Sequence, residues 1–213
     1  MSSPSATPAP PIHLGFAGSR TLFEDPAQRP ALEAALLSQL IATLRQLRTD
    51  LALTPDEPLC GISQIAIGAD FLFVQACAAL GGTHRLFLPQ PLDDFLTAGT
   101  PAPDGTFTLD FTPTQQVDAR VLLSRARPTE QRVVSTSPDR DQRFIDTNLA
   151  IAAASDVVLC LLRAGAPAAP GGTAHLQEVA LHCGLPVLRL EVSLENQTPK
   201  LEAHWLQMEA FAR

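Results

Sequence analysis

The residues of this chain that could act together on a ligand are Ser19 and Arg20, Asp70, and the run Pro170-Gly171-Gly172-Thr173-Ala174-His175-Leu176-Gln177-Glu178. Gly171 and Gly172 precede a segment that reads as a helix, so backbone amides and the positive end of that helix converge on the loop. That is a ready anion site, although an ordinary tight turn would use the same residues. Gly18 permits an unusual backbone turn, and Ser19 and Arg20 beside it can both address an anion. Asp70, after Gly68 and Ala69, could bind a ribose hydroxyl or amide donors; it could equally cap the helix that starts beside it. On a helix beginning near Thr173, residues three and four apart are neighbours, which puts Ala174, His175 and Glu178 on one side. A carboxylate there could hold a ribose diol or stabilise an oxocarbenium-like centre during N-glycosidic cleavage, or it could be a solvated helix glutamate. For His175, ligand contact, acid catalysis and plain surface exposure all remain open.

These groups need elements to position them. Val157 to Leu162 is a short apolar run of strand type, followed by the glycine loop, a helix from Ala174 to His182, and a second strand from Pro186 to Leu190. Gly184 suits the left-handed turn after that helix. The unit is therefore a parallel βαβ crossover. Upstream, Ile12–Ala17, Gly61–Ile67 and Thr83–Leu88 read as strands, with helices at Pro30–Leu51 and Phe71–Leu80 between them. Three small-residue loops, at Gly18–Arg20, Gly68–Asp70 and Gly171–Thr173, each follow a strand. In a parallel sheet they gather at the carboxyl edge, where such sheets bind ligands.

Residues 89–140 form a loop-rich insertion with one helical turn at Leu92–Leu96 and a helix at Thr114–Ser124. Long irregular loops often serve as lids or binding loops, so Arg125, Arg127, Arg132 and Arg140 are ligand candidates as well as ordinary surface charges. A helix from Asp141 to Ala154 leads back into the βαβ unit. The organisation expected is an uncharged, disordered tail at 1–11, one α/β domain at 12–190, and an extension at 191–213. The extension carries an amphipathic helix, Leu201–Phe211, with the single tryptophan, Trp205; it could cover an edge of the domain or serve a homodimer.

Composition narrows the function classes. Fifteen Lys and Arg against 22 Asp and Glu give a net charge of −7, which argues against binding a phosphate backbone. No run reaches the roughly 20 apolar residues of a membrane span, and the first residues do not form a signal peptide. Cys60, Cys77, Cys160 and Cys183 lie far apart without metal spacing and read as thiols of a reducing cytoplasm. His13, His84, His182 and His204 have no identifiable partners, so neither a metal nor a cofactor is expected.

Three stretches together carry a resemblance: Gly15-Phe16-Ala17-Gly18-Ser19-Arg20, Ile67-Gly68-Ala69-Asp70 with its Ala-rich helix, and Pro170-Gly171-Gly172-Thr173-Ala174-His175 through Glu178. The pattern resembles the SLOG superfamily, which takes in the Lonely-Guy (LOG) phosphoribohydrolases, the DprA/Smf recombination proteins and sensor domains of bacterial defence systems. The resemblance spans about residues 12–190. It implies a Rossmann-like three-layer α/β sandwich with a mostly parallel sheet of about five or more strands, and a nucleotide or nucleotide-derived ligand. The LOG enzymes carry Pro-Gly-Gly-x-Gly-Thr-x-x-Glu, which implies a catalytic role for Glu178 and, on the preceding helix, for Arg143. Here Ala174-His175 replaces the Gly-Thr pair and the family's Arg-Lys pair is absent, so the pattern looks closer to the defence-associated sensors. The resemblance thus implies a receptor for an ADP-ribose or cyclic ADP-ribose type of signal, with a separate effector protein or a second copy as partner. A phosphoribohydrolase acting on a nucleoside 5′-monophosphate is the alternative, and a DNA-binding recombination mediator the third.

Overall fold

The computed structural model describes residues 10–54, 57–101, 106–165 and 169–207. Most of the expected tail therefore lies outside the described residues. The elements follow in the order β1 (Ile12–Gly18), α1 (Arg29–Asp50), β2 (Leu59–Ser63), α2 (Ala69–Ala79), β3 (Thr83–Leu88) and α3 (Leu92–Thr97). Next come β4 (Gly99–Pro101), β5 (Phe107–Leu109), α4 (Pro113–Ala126), β6 (Glu130–Val133) and α5 (Arg140–Ala153). The chain ends in β7 (Val157–Arg163), α6 (Thr173–His182), β8 (Val187–Glu195) and β9 (Thr198–Gln207).

Seven of these strands form one sheet in the order β6-β3-β2-β1-β7-β8-β9. All neighbours are parallel except β8 and β9. This is the expected α/β architecture with a mostly parallel sheet. The inner strands are apolar on both sides because helices cover both faces. Leu14, Phe16, Leu159 and Leu161 pack under α1 and α2, while Val158 and Cys160 pack with Ile151, Leu176 and Ala180 of α5 and α6. Helix α1 turns one stripe inward, Leu32, Leu36, Leu40, Leu44 and Leu47, all buried, and Pro30 sits in its first turn where no amide donor is missed.

From β1 the chain steps outward through β2 and β3 to β6, then returns along α5 to β7 on the opposite side of β1. The loops leaving β1 and β7 consequently diverge, and the crevice between them is the topological switch point of the sheet.

Three local expectations are corrected. The helix expected over Leu201–Phe211 is the strand β9 instead, as far as Gln207. It is joined to β8 by a two-residue turn at Asn196 (φ 50°) and Gln197 (φ 63°), a pairing of positive φ values that matches the twist of a hairpin. Gln39 of α1 holds this strand by donating to the Pro199 carbonyl (2.6 Å) and accepting from the Leu201 amide (2.8 Å). Within the insertion, Gly99–Pro101 and Phe107–Leu109 pair as a small antiparallel hairpin, and Glu130–Val133 adds the edge strand β6 beside β3. Strand β2 ends at Ser63, four residues short of Ile67.

Candidate functional site

The loop after β1 is shaped by close packing. A Cβ on Gly18 would come within 2.2 Å of the Ala69 Cβ, and one on Gly68, which has φ +86°, within 2.3 Å of the Arg20 carbonyl oxygen. Ala69 donates its amide to the Ser19 carbonyl (3.2 Å). Gly18, Gly68 and Ala69 thus clamp the first two small-residue loops to each other. The Ser19 hydroxyl accepts from the Arg163 amide (3.1 Å) and ties the same turn to the end of β7.

The third loop is held by α5. Gly171 has φ +66°, and a Cβ there would lie 2.4 Å from that of Phe144. The buried Asn148 side chain donates through Nδ2 to the carbonyls of Gly171 (2.8 Å) and Gly172 (3.0 Å). Its Nδ2 also lies 3.2 Å from His175 Nδ1. The Gly171 and Gly172 carbonyls are thereby engaged on the α5 side. Gly172, the N-cap of α6, offers no capping side chain, so the first-turn amides that a helix leaves unpaired remain for a ligand.

Between these loops lies a cleft of about 850 Å³. Of the residues singled out in the sequence, Gly18, Ser19, Arg20, Asp70, Gly171, Gly172 and Thr173 line it, as do Ala174 and Arg140. Gly68, Ala69 and His175 do not; they buttress its walls. Glu178 is exposed on α6 and lies outside the lining, and Arg143 faces a separate, smaller cavity. The catalytic pair implied by the resemblance is therefore not assembled around this cleft. Gln177, one residue before Glu178, lines it instead.

Asp70 is not a helix cap. Its Oδ2 accepts from the Ala66 amide (3.1 Å), and burial pushes its carboxyl up to about 7 against the pull of that amide and of Arg20. Four arginines line the cleft: Arg20, Arg140, Arg163 and Arg189. Arg163 pairs with Glu24 (2.6 Å), and Arg189 donates through Nε to Glu191 (3.1 Å). Arg20 and Arg140 share one carboxylate, Asp110, at 3.7 Å and 2.6 Å. Asp110 is thus the counter-ion that the two guanidinium groups share, while Asp70 and Asp141 also line the cleft. Burial, with the charge of Arg140 adding to it, pulls the Arg20 pKa below its ordinary value, and Asp110 and Asp70 oppose that shift.

Among the described residues six buried side-chain polar atoms lack a protein partner, and five belong to residues of this cleft. Two are donors, Arg20 Nε and Arg163 Nε; three are acceptors, Gln64 Oε1, Asn148 Oδ1 and Gln177 Oε1. Buried polar atoms are ordinarily paired, so these five stand out as polar atoms beneath the cleft wall whose hydrogen bonds the described residues do not complete. Gln64, Asn148 and Gln177 escaped sequence reasoning. For Asn148 a signal existed, since it interrupts the apolar stripe of Phe144, Ile145, Ile151 and Ala152 on α5. Arg125, Arg127 and Arg132 do not reach the cleft; Arg127 caps α4 with φ 45°, and Arg132 lies over the Phe87 ring. No group of His, Cys, Asp or Glu among the described residues is arranged to hold a metal ion, and no described helix is long and apolar enough to cross a membrane.

No protein-family model matches the chain, and no curated protein matches it. Among solved structures it is similar to the X-ray structure of DNA processing protein A (DprA) from Streptococcus pneumoniae, at 18% identity and a TM-score of 0.47. The alignment covers 88% of this chain and 52% of that one, so the chain spans about half the length of that protein.

Proposed function

We propose that the cleft at the switch point binds a nucleotide or nucleotide-derived signal, of the ADP-ribose or cyclic ADP-ribose kind, and returns it unchanged. The observation that carries this reading is the gathering of Arg20, Arg140 and the glycine loop at the start of α6 in one cleft. Arg20, Arg140 and the uncapped start of α6 suit a phosphate, which only accepts at these contacts. Gln64, Asn148 and Gln177 add carboxamide side chains to the same lining, a type of group that can pair with ribose hydroxyls or an amino group. The exposed position of Glu178 speaks for binding without turnover. A module of this kind acts through a separate effector protein or a second copy of itself.

Titration calorimetry with ADP-ribose, cyclic ADP-ribose and AMP, with chromatography of the recovered ligand, tests the proposal. Gly172→Asp is the informative variant. Among the described residues, an added Cβ at this φ of −80° comes nearest the Ala169 carbonyl oxygen, at 3.0 Å, and then the Ala169 Cβ, at 3.6 Å; Asp is a favoured N-cap, so the fold holds. The same carboxylate puts negative charge on the anion site. Binding lost in a folded variant supports the reading, and unchanged affinity removes the loop from the site.

One observation favours a second reading, N-glycosidic cleavage of a nucleoside monophosphate. Asp70 lines the cleft and titrates near neutrality, as a general acid should. Release of free base from AMP by the wild type, lost in Asp70→Asn, would establish it in place of the receptor.

A further inference from the structure

Beside the large cleft lies a second cavity of about 260 Å³, enclosed by α3, the β4–β5 hairpin and the start of α5. The two differ in character. Phe144 is the single aromatic side chain lining the large cleft, whereas Phe95, Phe107 and Phe144 all line the small one. Arg140 and Phe144 belong to both linings, so they form a shared wall past which one ligand can extend. The small cavity falls below the roughly 300 Å³ of pockets that take a whole drug-sized ligand. Its size suits a single ring system.

Phe107 is the telling residue. It stands on the short hairpin with 59% of its surface exposed, an arrangement that no core packing requires. Its ring lies across Gly99, where an added Cβ would come within 2.5 Å of it. Behind it the buried Phe95 is tilted against Phe144, with ring centroids 6.3 Å apart. Gln90 and Asp94 bring hydrogen-bond acceptors to the same lining. Aromatic faces with acceptors at their edge are what a planar base bearing an amino group needs.

We propose that this cavity is the base subsite of the ligand: a nucleobase with an exocyclic amine stacks against Phe107 and Phe144 while its phosphate is held in the larger cleft. The inference rests on the nucleotide reading above and assigns the hairpin of the insertion a role in selecting the base. The experiment compares AMP, ribose 5-phosphate and inorganic phosphate by calorimetry on the full chain, for the wild type, Phe107→Ala, Phe107→Tyr and Gly172→Asp. The wild type should bind AMP at least tenfold more tightly than ribose 5-phosphate. Phe107→Ala should remove most of that ratio and leave ribose 5-phosphate unchanged, and Phe107→Tyr should restore it. Equal affinity for AMP and ribose 5-phosphate in the wild type, with both lost in Gly172→Asp, overturns the base subsite and leaves the anion site standing. A ratio untouched by Phe107→Ala overturns it as well. Binding of none of the three probes, or binding indifferent to Gly172→Asp, overturns the nucleotide reading together with this one.

Discussion

Replacing Asp110 by Asn separates stability from affinity at this site. The carboxylate lies 2.6 Å from Arg140 Nη2 and 3.7 Å from Arg20 Nη1, and Arg20 Nη2 also donates to the Asp110 carbonyl (3.2 Å). Two opposite charges about 4 Å apart are worth about 1 kcal/mol in water and about 4 kcal/mol at the intermediate polarity of a protein surface. Both guanidinium side chains are 37% exposed and the carboxylate 13%, so the site lies between those limits. Asn keeps the shape and one acceptor but removes the charge that the two guanidinium groups share, at a cost of about 2 kcal/mol. For a chain of 213 residues that lowers the melting temperature by about 4–8 °C. An anion placed between the same two arginines gains, because the competing carboxylate has gone; the expected tightening is about tenfold, or about 1.4 kcal/mol. Thermal unfolding with and without phosphate reads both effects, since the ligand should raise the melting temperature of Asp110→Asn more than that of the wild type. If stability and phosphate affinity both stay unchanged, the shared counter-ion argument is wrong. If both fall, Asp110 acts by positioning the arginines and the sign of the electrostatic argument is refuted.

Asp70 carries a pH dependence whose sign is fixed by its raised pKa: about 7 folded, against about 4 unfolded. The folded state retains the proton longer, so this group's contribution to stability is full below about pH 4 and is lost as pH rises to about 7. Buried His84, lowered to about 4, acts oppositely between about 4 and 6.5, so the difference between wild type and Asp70→Asn across pH 4–8 in chemical denaturation isolates the carboxyl; a flat difference would refute its burial. Gly171→Ala should cost about 3 kcal/mol, combining positive-φ strain with the clash against Phe144, whereas Gly172→Ala, a poorer N-cap without positive-φ strain, should cost about 1 kcal/mol; comparable melting temperatures for the two would contradict the packing of the loop on α5. The acidic chain should show no tight, salt-sensitive binding of single-stranded DNA at physiological salt, and submicromolar binding with a steep salt slope in fluorescence anisotropy would contradict that.

The strands beneath the site were legible because they are buried on both faces. The run from Val157 is an unbroken apolar segment, β3 closes on the buried Leu86-Phe87-Leu88 before Pro89, and Gly184 follows α6 with φ 72° as its type suggests. Strand β6 was not legible, because Glu130-Gln131-Arg132-Val133 is an edge strand with almost no buried surface, held by a parallel ladder and by Arg85–Glu130 at 2.7 Å. Such edges are polar by necessity, which erases the apolar signal. The C-terminal strand was misread for another reason. Leu201, Ala203 and Trp205 alternate with Glu202 and His204, a period of two, and the paired Asn196-Gln197 is a turn signal. Short alternating segments rich in Leu, Ala and Glu also satisfy a helical pattern, and here sheet pairing with β8 and packing on α1 decide.

The site was half legible, and the division has one geometric cause. Glycine loops after strands announce themselves by residue type, whereas the side of a helix that meets a ligand depends on how the helix is rotated. Successive residues of a helix turn by roughly 100°. Leu176 and Ala180 are both fully buried on the sheet, so Glu178, two residues from each, stands roughly 200° from both and must face away. Ala174 shares the side of Glu178 and still lines the cleft, because it lies in the first turn, where the loops close round it. Gln177, roughly 100° from Leu176, meets the cleft one turn further on. The buried residues of α6 therefore put Gln177, and not Glu178, in the wall of the cleft. At that position the wall carries a neutral amide where the motif offered a carboxylate.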